Sequence, residues 1–200
     1  MGDAIRVGPD HRRLFEVASE QHGYFTAAQA GACGVGWDLL SDGARLGRYL
    51  RIRRGLYRLR DYPSTPREEV MMAWLAVGKE SAVVSHESAM ELLDLSDVIP
   101  TAIHLTVPRS RRHLPDLPGV TIHTSTRALE AGDVTLRDGM RVTSVARMIA
   151  DVAETGTGPE QVKLAVGQAL RRGQTTRRRL EVATADRSRR VRDLIAGAAT

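Results

Sequence analysis

The sequence predicts an α+β fold divided between two cores, and three observations carry that reading. Apolar residues recur at helical spacing in some stretches and alternate strand-like in others, so both element types are expected. All eight aromatics (Phe15, Tyr24, Phe25, Trp37, Tyr49, Tyr57, Tyr62 and Trp74) lie before position 75, leaving the remainder to build a core from aliphatic side chains. Close to that change, the run Tyr62-Pro63-Ser64-Thr65-Pro66 has the composition of a short extended linker. Residues 1–62 are therefore expected to form one domain, residues 66–183 a small mixed α/β domain, and residues 184–200 a basic helical tail.

In the first segment, Leu14, Phe15, Val17 and Ala18 predict a helix over residues 10–21, stopped by Gly23. Thr26-Ala27-Ala28-Gln29 reads as a capping box, in which hydroxyl and amide satisfy orphan backbone donors at a second helix start. That helix ends near Gly34. Val35, Leu39, Leu40 and Ala44 then continue an apolar pattern into a third helix that finishes at Gly47, with Gly43 costing it about 1 kcal/mol relative to alanine. Residues 49–60 alternate, with Leu50 and Ile52 against Arg51 and Arg53, a turn at Arg54-Gly55, then Tyr57 and Leu59 against Arg58 and Arg60. Three helices followed by a basic hairpin spell a winged helix-turn-helix, whose third helix enters the DNA major groove while the hairpin wing lies on the backbone.

In the second segment, Pro66 and the acids Glu68 and Glu69 mark a helix start, because early proline and first-turn carboxylates suit the helix amino terminus. A further helix is expected over residues 85–93, capped by Ser85. Residues 103–107 and 120–123 alternate like strands around a basic loop containing Arg109, Arg111, Arg112 and His113. Asp138-Gly139 reads as the turn of a hairpin over residues 134–142. Helices are expected at residues 144–153, 159–171, 175–183 and 188–196, giving a small sheet covered by helices.

Composition narrows the function classes. With 42% hydrophobic and 26% charged residues and no apolar run near the roughly 18 residues that span a bilayer, a soluble, cytoplasmic chain without a membrane partner is expected. Residues 1–10 lack the pattern of a secretory leader. The single cysteine, Cys33, is expected as a small buried hydrophobe. The net charge of +5 comes from 29 basic residues, of which all but Lys79 and Lys163 are arginine, the side chain whose planar fork suits phosphate oxygens and guanine edges. Seven arginines and no acid occupy residues 45–60, and nine arginines against Glu181 and Asp186 occupy residues 171–192.

The DNA-contacting set is accordingly expected to be Trp37, Ser41 and Arg45 on the third helix with Arg48, Arg51, Arg53, Arg54 and Arg58 in and before the wing. Wing arginines would neutralise phosphates and release counterions, positioning the duplex with little sequence information. Asp38 and Asp42 oppose phosphate on the third helix. Two other readings stay open: a protein-interaction module that docks a partner through the winged helix, and a metal-dependent nuclease using His86, His104 and His123. The phosphate-cradling loop with lysine, the nucleophile elbow and the paired histidines of zinc enzymes do not occur, so no enzyme and no cofactor are expected. The arginines at 177–179, 187, 189 and 190 read either as a solvated face or as added phosphate contacts.

Several separated motifs in order resemble a known family. Gly23-Tyr24-Phe25-Thr26-Ala27-Ala28-Gln29-Ala30, Arg51-Ile52-Arg53-Arg54-Gly55-Leu56-Tyr57-Arg58-Leu59, Val84-Ser85-His86-Glu87-Ser88-Ala89 and Ile103-His104-Leu105-Thr106-Val107-Pro108 are similar to the AbiEi-type antitoxins of abortive-infection, type IV toxin-antitoxin systems. The resemblance implies an amino-terminal winged helix that binds inverted repeats in its own promoter and represses it. It also implies a carboxy-terminal domain that opposes a nucleotidyltransferase-like toxin. The third helix departs from the family pattern, with Trp37, Asp38 and Asp42 where basic residues are common.

Overall fold

The computed structural model describes residues 8–111, 114 and 116–199. The chain forms two compact units, Met1–Ala76 and Val77–Thr200.

The first unit runs α1 (His11–Ser19), β1 (Tyr24–Thr26), α2 (Ala27–Ala32), α3 (Trp37–Arg45), β2 (Tyr49–Arg53), β3 (Leu56–Leu59) and α4 (Glu68–Val77), the last crossing into the second unit by one residue. Asp10 caps α1 by accepting from Arg13 N at 2.9 Å, and Thr26 and Gln29 form the capping box of α2. Gln21, buried, exchanges amide hydrogen bonds with Gln29 and donates to the Tyr24 carbonyl, which ties the end of α1 to the start of α2. The short strand β1 goes beyond the sequence reading, since three residues hold no detectable alternation. It pairs antiparallel with β3 through Phe25↔Tyr57, giving a sheet of order β1-β3-β2 that anchors the hairpin to the helices.

Phe25 organises the core, edge-on to Tyr49 at 5.2 Å and stacked on Tyr57 at 5.8 Å, with Leu14, Ala18, Val35 and Leu40 around them. Cys33 is buried among these residues, while Phe15, counted in the apolar stripe of α1, faces solvent. The β2–β3 register slips between Arg51 and Arg53, so Ile52 forms a bulge and the alternation breaks there.

The second unit holds β4 (Val83–Val84), α5 (His86–Leu92), β5 (Ile103–Pro108), β6 (Val120–Ser125), β7 (Val134–Arg137), β8 (Met140–Thr143), α6 (Val145–Thr155), α7 (Pro159–Arg171), α8 (Arg177–Thr184) and α9 (Arg189–Ala198). Its five strands lie in the order β6-β5-β4-β8-β7, with β5–β6 and β4–β8 parallel and the other pairs antiparallel. Two-residue β4, too short to read from sequence, is the middle strand. Asp138 and Gly139 both take positive φ, the conformation a two-residue hairpin turn demands. Helix α6 buries eight of its eleven residues and is the hub of the unit.

The tail is an integral helix of this unit. Val191 and Ile195 of α9 are buried, Arg190 donates to the Ala153 carbonyl at 2.8 Å, and Arg187 pairs with Asp151 of α6. Arg187 and Arg190 thus hold the fold together. The Arg112 and His113 part of the basic loop lies outside the described residues.

Gly43, a propensity defect in α3, has a packing reason: a Cβ there would stand 2.4 Å from the Tyr49 ring. Gly43→Ala gains about 1 kcal/mol of helix propensity but forces overpacking that costs about 1 to 3 kcal/mol. The expected outcome is a lower melting temperature for Gly43→Ala, restored in the double variant with Tyr49→Leu; a stabilised single variant would refute the packing account.

Candidate nucleic-acid interface and a buried histidine cluster

The solvent-facing side of α3 carries Trp37, Asp38, Ser41 and Arg45, as the helical spacing predicts. Trp37 is 61% exposed, and the Arg51 guanidinium of β2 sits 5.8 Å from its ring centre, so the start of α3 and the first wing strand share one surface. Arg45 pairs with Asp42 at 3.0 Å with both side chains exposed, a contact of little energetic weight that a phosphate can displace. Arg48 and Arg54 are exposed and Arg53 half-buried, and among the described residues none of the three guanidiniums has a hydrogen-bond or ion-pair partner. Gly55, at φ +76°, closes the wing tip beside them. Five guanidiniums, those of Arg45, Arg48, Arg51, Arg53 and Arg54, are thus displayed on and around α3 and the wing.

Arg58 departs from the expected contact set. It is only 8% exposed and donates to Glu68 at 2.9 Å and to the Pro63 carbonyl at 3.2 Å, with its guanidinium 5.5 Å from the Tyr24 ring centre. Simple alternation gives this face of the hairpin to solvent; in the fold, the segment from Pro63 to Glu68 covers it. Arg60 is likewise engaged, donating to the Gly47 carbonyl. Removing one partner of a buried pair strands the other charge, so Arg58→Ala is expected to lower unit stability by about 3 kcal/mol, read by chemical denaturation of the chain. A change under about 1 kcal/mol would show the pair to be surface-like.

In the second unit, the three histidines singled out in the sequence do come together. His104 and His123 project from neighbouring parallel strands, where His123 stands opposite Thr106, and His86 opens α5. The His86 and His123 rings stack at 3.5 Å between centres, and His104 Nδ1 lies 2.9 Å from His123 Nε2. Ser85 does not cap α5 with its hydroxyl; its Oγ instead accepts from Thr106 at 2.8 Å and meets His86 Nδ1 at 2.9 Å. Glu87 lies 4.0 Å from His104 and accepts from Thr157. Ring faces and nitrogens are turned on one another and not toward a common point. Among the described residues, no group of three or more His, Cys, Asp or Glu is arranged to hold a metal ion.

Burial, reinforced by the neighbouring His123 and His104, pushes the His86 imidazole down to about 2, and burial with His104 pushes His123 to about 4; burial also lowers His104 against the pull of Glu87. Asp151, between Arg147 and Arg187, is raised because burial outweighs both guanidiniums. For the histidines the folded state stays neutral while the unfolded chain gains protons below its ordinary pKa of about 6.5, so stability is lost as pH falls through that value. Asp151 acts in the opposite sense. Thermal unfolding is expected to shift downward between about pH 7 and pH 4.5. The decline should be shallower in His86→Asn/His123→Gln, and an unchanged slope in that variant would refute the assignment.

Residues 12–60, from the first turn of α1 to the end of the wing, match the family model described as "Transcriptional regulator, AbiEi antitoxin". The crystal structure of the RV2827C protein from Mycobacterium tuberculosis is similar in fold, with a TM-score of 0.60 at 17% identity over 98% of this chain and 79% of that one. No curated protein matches the sequence. No helix among the described residues is long and apolar enough to cross a membrane. The amino-terminal unit thus carries, over residues 12–60, the sequence pattern of the AbiEi antitoxins, a family of transcriptional regulators.

Proposed function

We propose that the protein is a cytoplasmic antitoxin and autorepressor of a type IV, AbiE-like operon that binds double-stranded DNA repeats in its own promoter. It acts by binding and not by catalysis, and its functional counterpart is a nucleotidyltransferase-like toxin. The observation that carries this reading is the group of arginines at 45, 48, 51, 53 and 54, displayed around α3 and the wing with Asp42 the one carboxylate bound to any of them among the described residues. Each phosphate neutralised there releases condensed counterions, so affinity should fall steeply with salt. Specificity would come from Ser41 and Arg45 at base edges, while Trp37 is held beside the wing by Arg51.

Exposed Leu39 and Leu46 on and just after α3, with Trp37, favour the second reading, in which the same unit docks a protein. Fluorescence anisotropy with the chain's own upstream duplex separates the two. The expected result is tight binding whose log-log salt slope falls by about two in Arg53→Ala/Arg54→Ala, whereas Arg58→Ala, measured at a temperature where it is folded, keeps the parental slope. Salt-insensitive or absent DNA binding, with retained binding to a toxin, would overturn the proposal in favour of docking.

A further inference from the structure

Helix α3 carries a net negative charge, although it is the element that would enter the groove of a polyanion. Its solvent side is a single stripe: Asp38, Ser41, Asp42 and Arg45 stand at i, i+3, i+4 and i+7, and all four are exposed, with Leu40 and Gly43 buried behind them. Two carboxylates thus face one guanidinium on the helix, whereas the wing beside it holds arginines alone.

Asp38 has a local reason for its place, because a first-turn acid complements the helix dipole behind Gly36, a cap with no side chain to offer. Asp42 lies beyond that turn. Its carboxylate meets only Arg45, at 3.0 Å with both side chains exposed, a pair that adds little stability. Among the described residues the Asp38 carboxylate and the Ser41 hydroxyl have no hydrogen-bond partner.

A helix so charged gains in a groove only where the bases offer donors. In the major groove those are the N4 amino group of cytosine and the N6 amino group of adenine, while guanine and thymine present acceptors. Adenine also sets its N7 acceptor beside N6, which repels a carboxylate; cytosine has no acceptor on that edge. The guanine paired with it offers O6 and N7 to a guanidinium fork. Arg45 uses one of its five N–H donors on Asp42 and keeps the others. A phosphate that displaced Asp42 from Arg45 would leave the carboxylate unpaired beside a second negative charge, a cost that an uncharged guanine edge does not impose. From Asp38 to Arg45 the stripe runs about 10 Å along the helix axis, the length of about three stacked base pairs.

Resting on the reading of this unit as a duplex-DNA binder, we propose that α3 recognises a short G·C tract, with Asp38 and Asp42 accepting from cytosine N4 amino groups and Arg45 donating to O6 and N7 of guanine. The wing supplies phosphate affinity. The two acids set specificity, because they repel any duplex that lacks those amino groups.

Selection by the full chain from a duplex library randomised over about ten base pairs, one helical turn, followed by anisotropy on the selected duplexes, tests this. Adjacent G·C pairs should be enriched, and replacing a selected cytosine·guanine pair by thymine·adenine should weaken binding at least about fivefold. Asp42→Asn should move the preference at one position from cytosine to adenine, since an amide pairs with N6 and N7 together, while Asp42→Glu keeps cytosine. The salt slope and melting temperature of Asp42→Asn should stay parental, as no phosphate contact is lost. Placing 7-deazaguanine at the selected guanines should weaken the parent and leave Arg45→Gln unaffected. Binding without base preference, enrichment of A·T pairs, an Asp42→Asn selection identical to the parental one, or indifference of the parent to 7-deazaguanine would each overturn the inference and leave the wing's role standing. Failure to retain any duplex at low salt would sink the DNA-binding reading itself, and this inference with it.

Discussion

The contact between the Tyr49 ring and the bare backbone of Gly43 sets the geometry on which the first unit depends. It lets the first wing strand approach α3 more closely than any side chain at position 43 would permit. From there the aromatic group of Phe25, Tyr49 and Tyr57 carries the constraint across β1 and β3 to α1. The two parts that the proposed function would bring to a duplex together, α3 and the wing hairpin, are held by one packed seam. The helix-propensity cost of Gly43 is offset by that seam.

Within the basic stretch, the fold sorts arginines by what lies beneath them. Arg58 and Arg60 meet Glu68 and backbone carbonyls, so they hold the wing to the rest of its unit. Among the described residues the guanidiniums of Arg48, Arg53 and Arg54 have no hydrogen-bond or ion-pair partner, and that of Arg51 lies against the Trp37 ring. A cation already desolvated and paired has little to gain from a phosphate, whereas one in water gains through counterion release. The same sorting separates Arg187 and Arg190, spent on α6, from Arg178 and Arg179, whose guanidiniums have no such partner among the described residues.

The histidine cluster is a polar group at the edge of a core built mostly from aliphatic side chains. His86, His104 and His123 satisfy one another and Ser85 through stacking and nitrogen contacts, and they remain neutral because burial disfavours charge on any of them. They pin α5 to the β5–β6 pair, and the Glu87 to Thr157 bond ties the start of α5 to the end of α6.

By itself the sequence determined the order of the longer elements, the capping box at Thr26, the Asp138-Gly139 turn and the exposed face of α3. All of these are written in local periodicity and turn chemistry, which act over a few residues. The family pattern in residues 12–60 was legible for the same reason. Tertiary structure alone decided the short strands β1 and β4, which exist only through their partners, and the inward turn of Arg58, which follows from the segment that covers its face. It also decided the meeting of three histidines far apart in sequence. These depend on which surfaces the packing brings opposite one another, and that information is absent from any window of neighbouring residues.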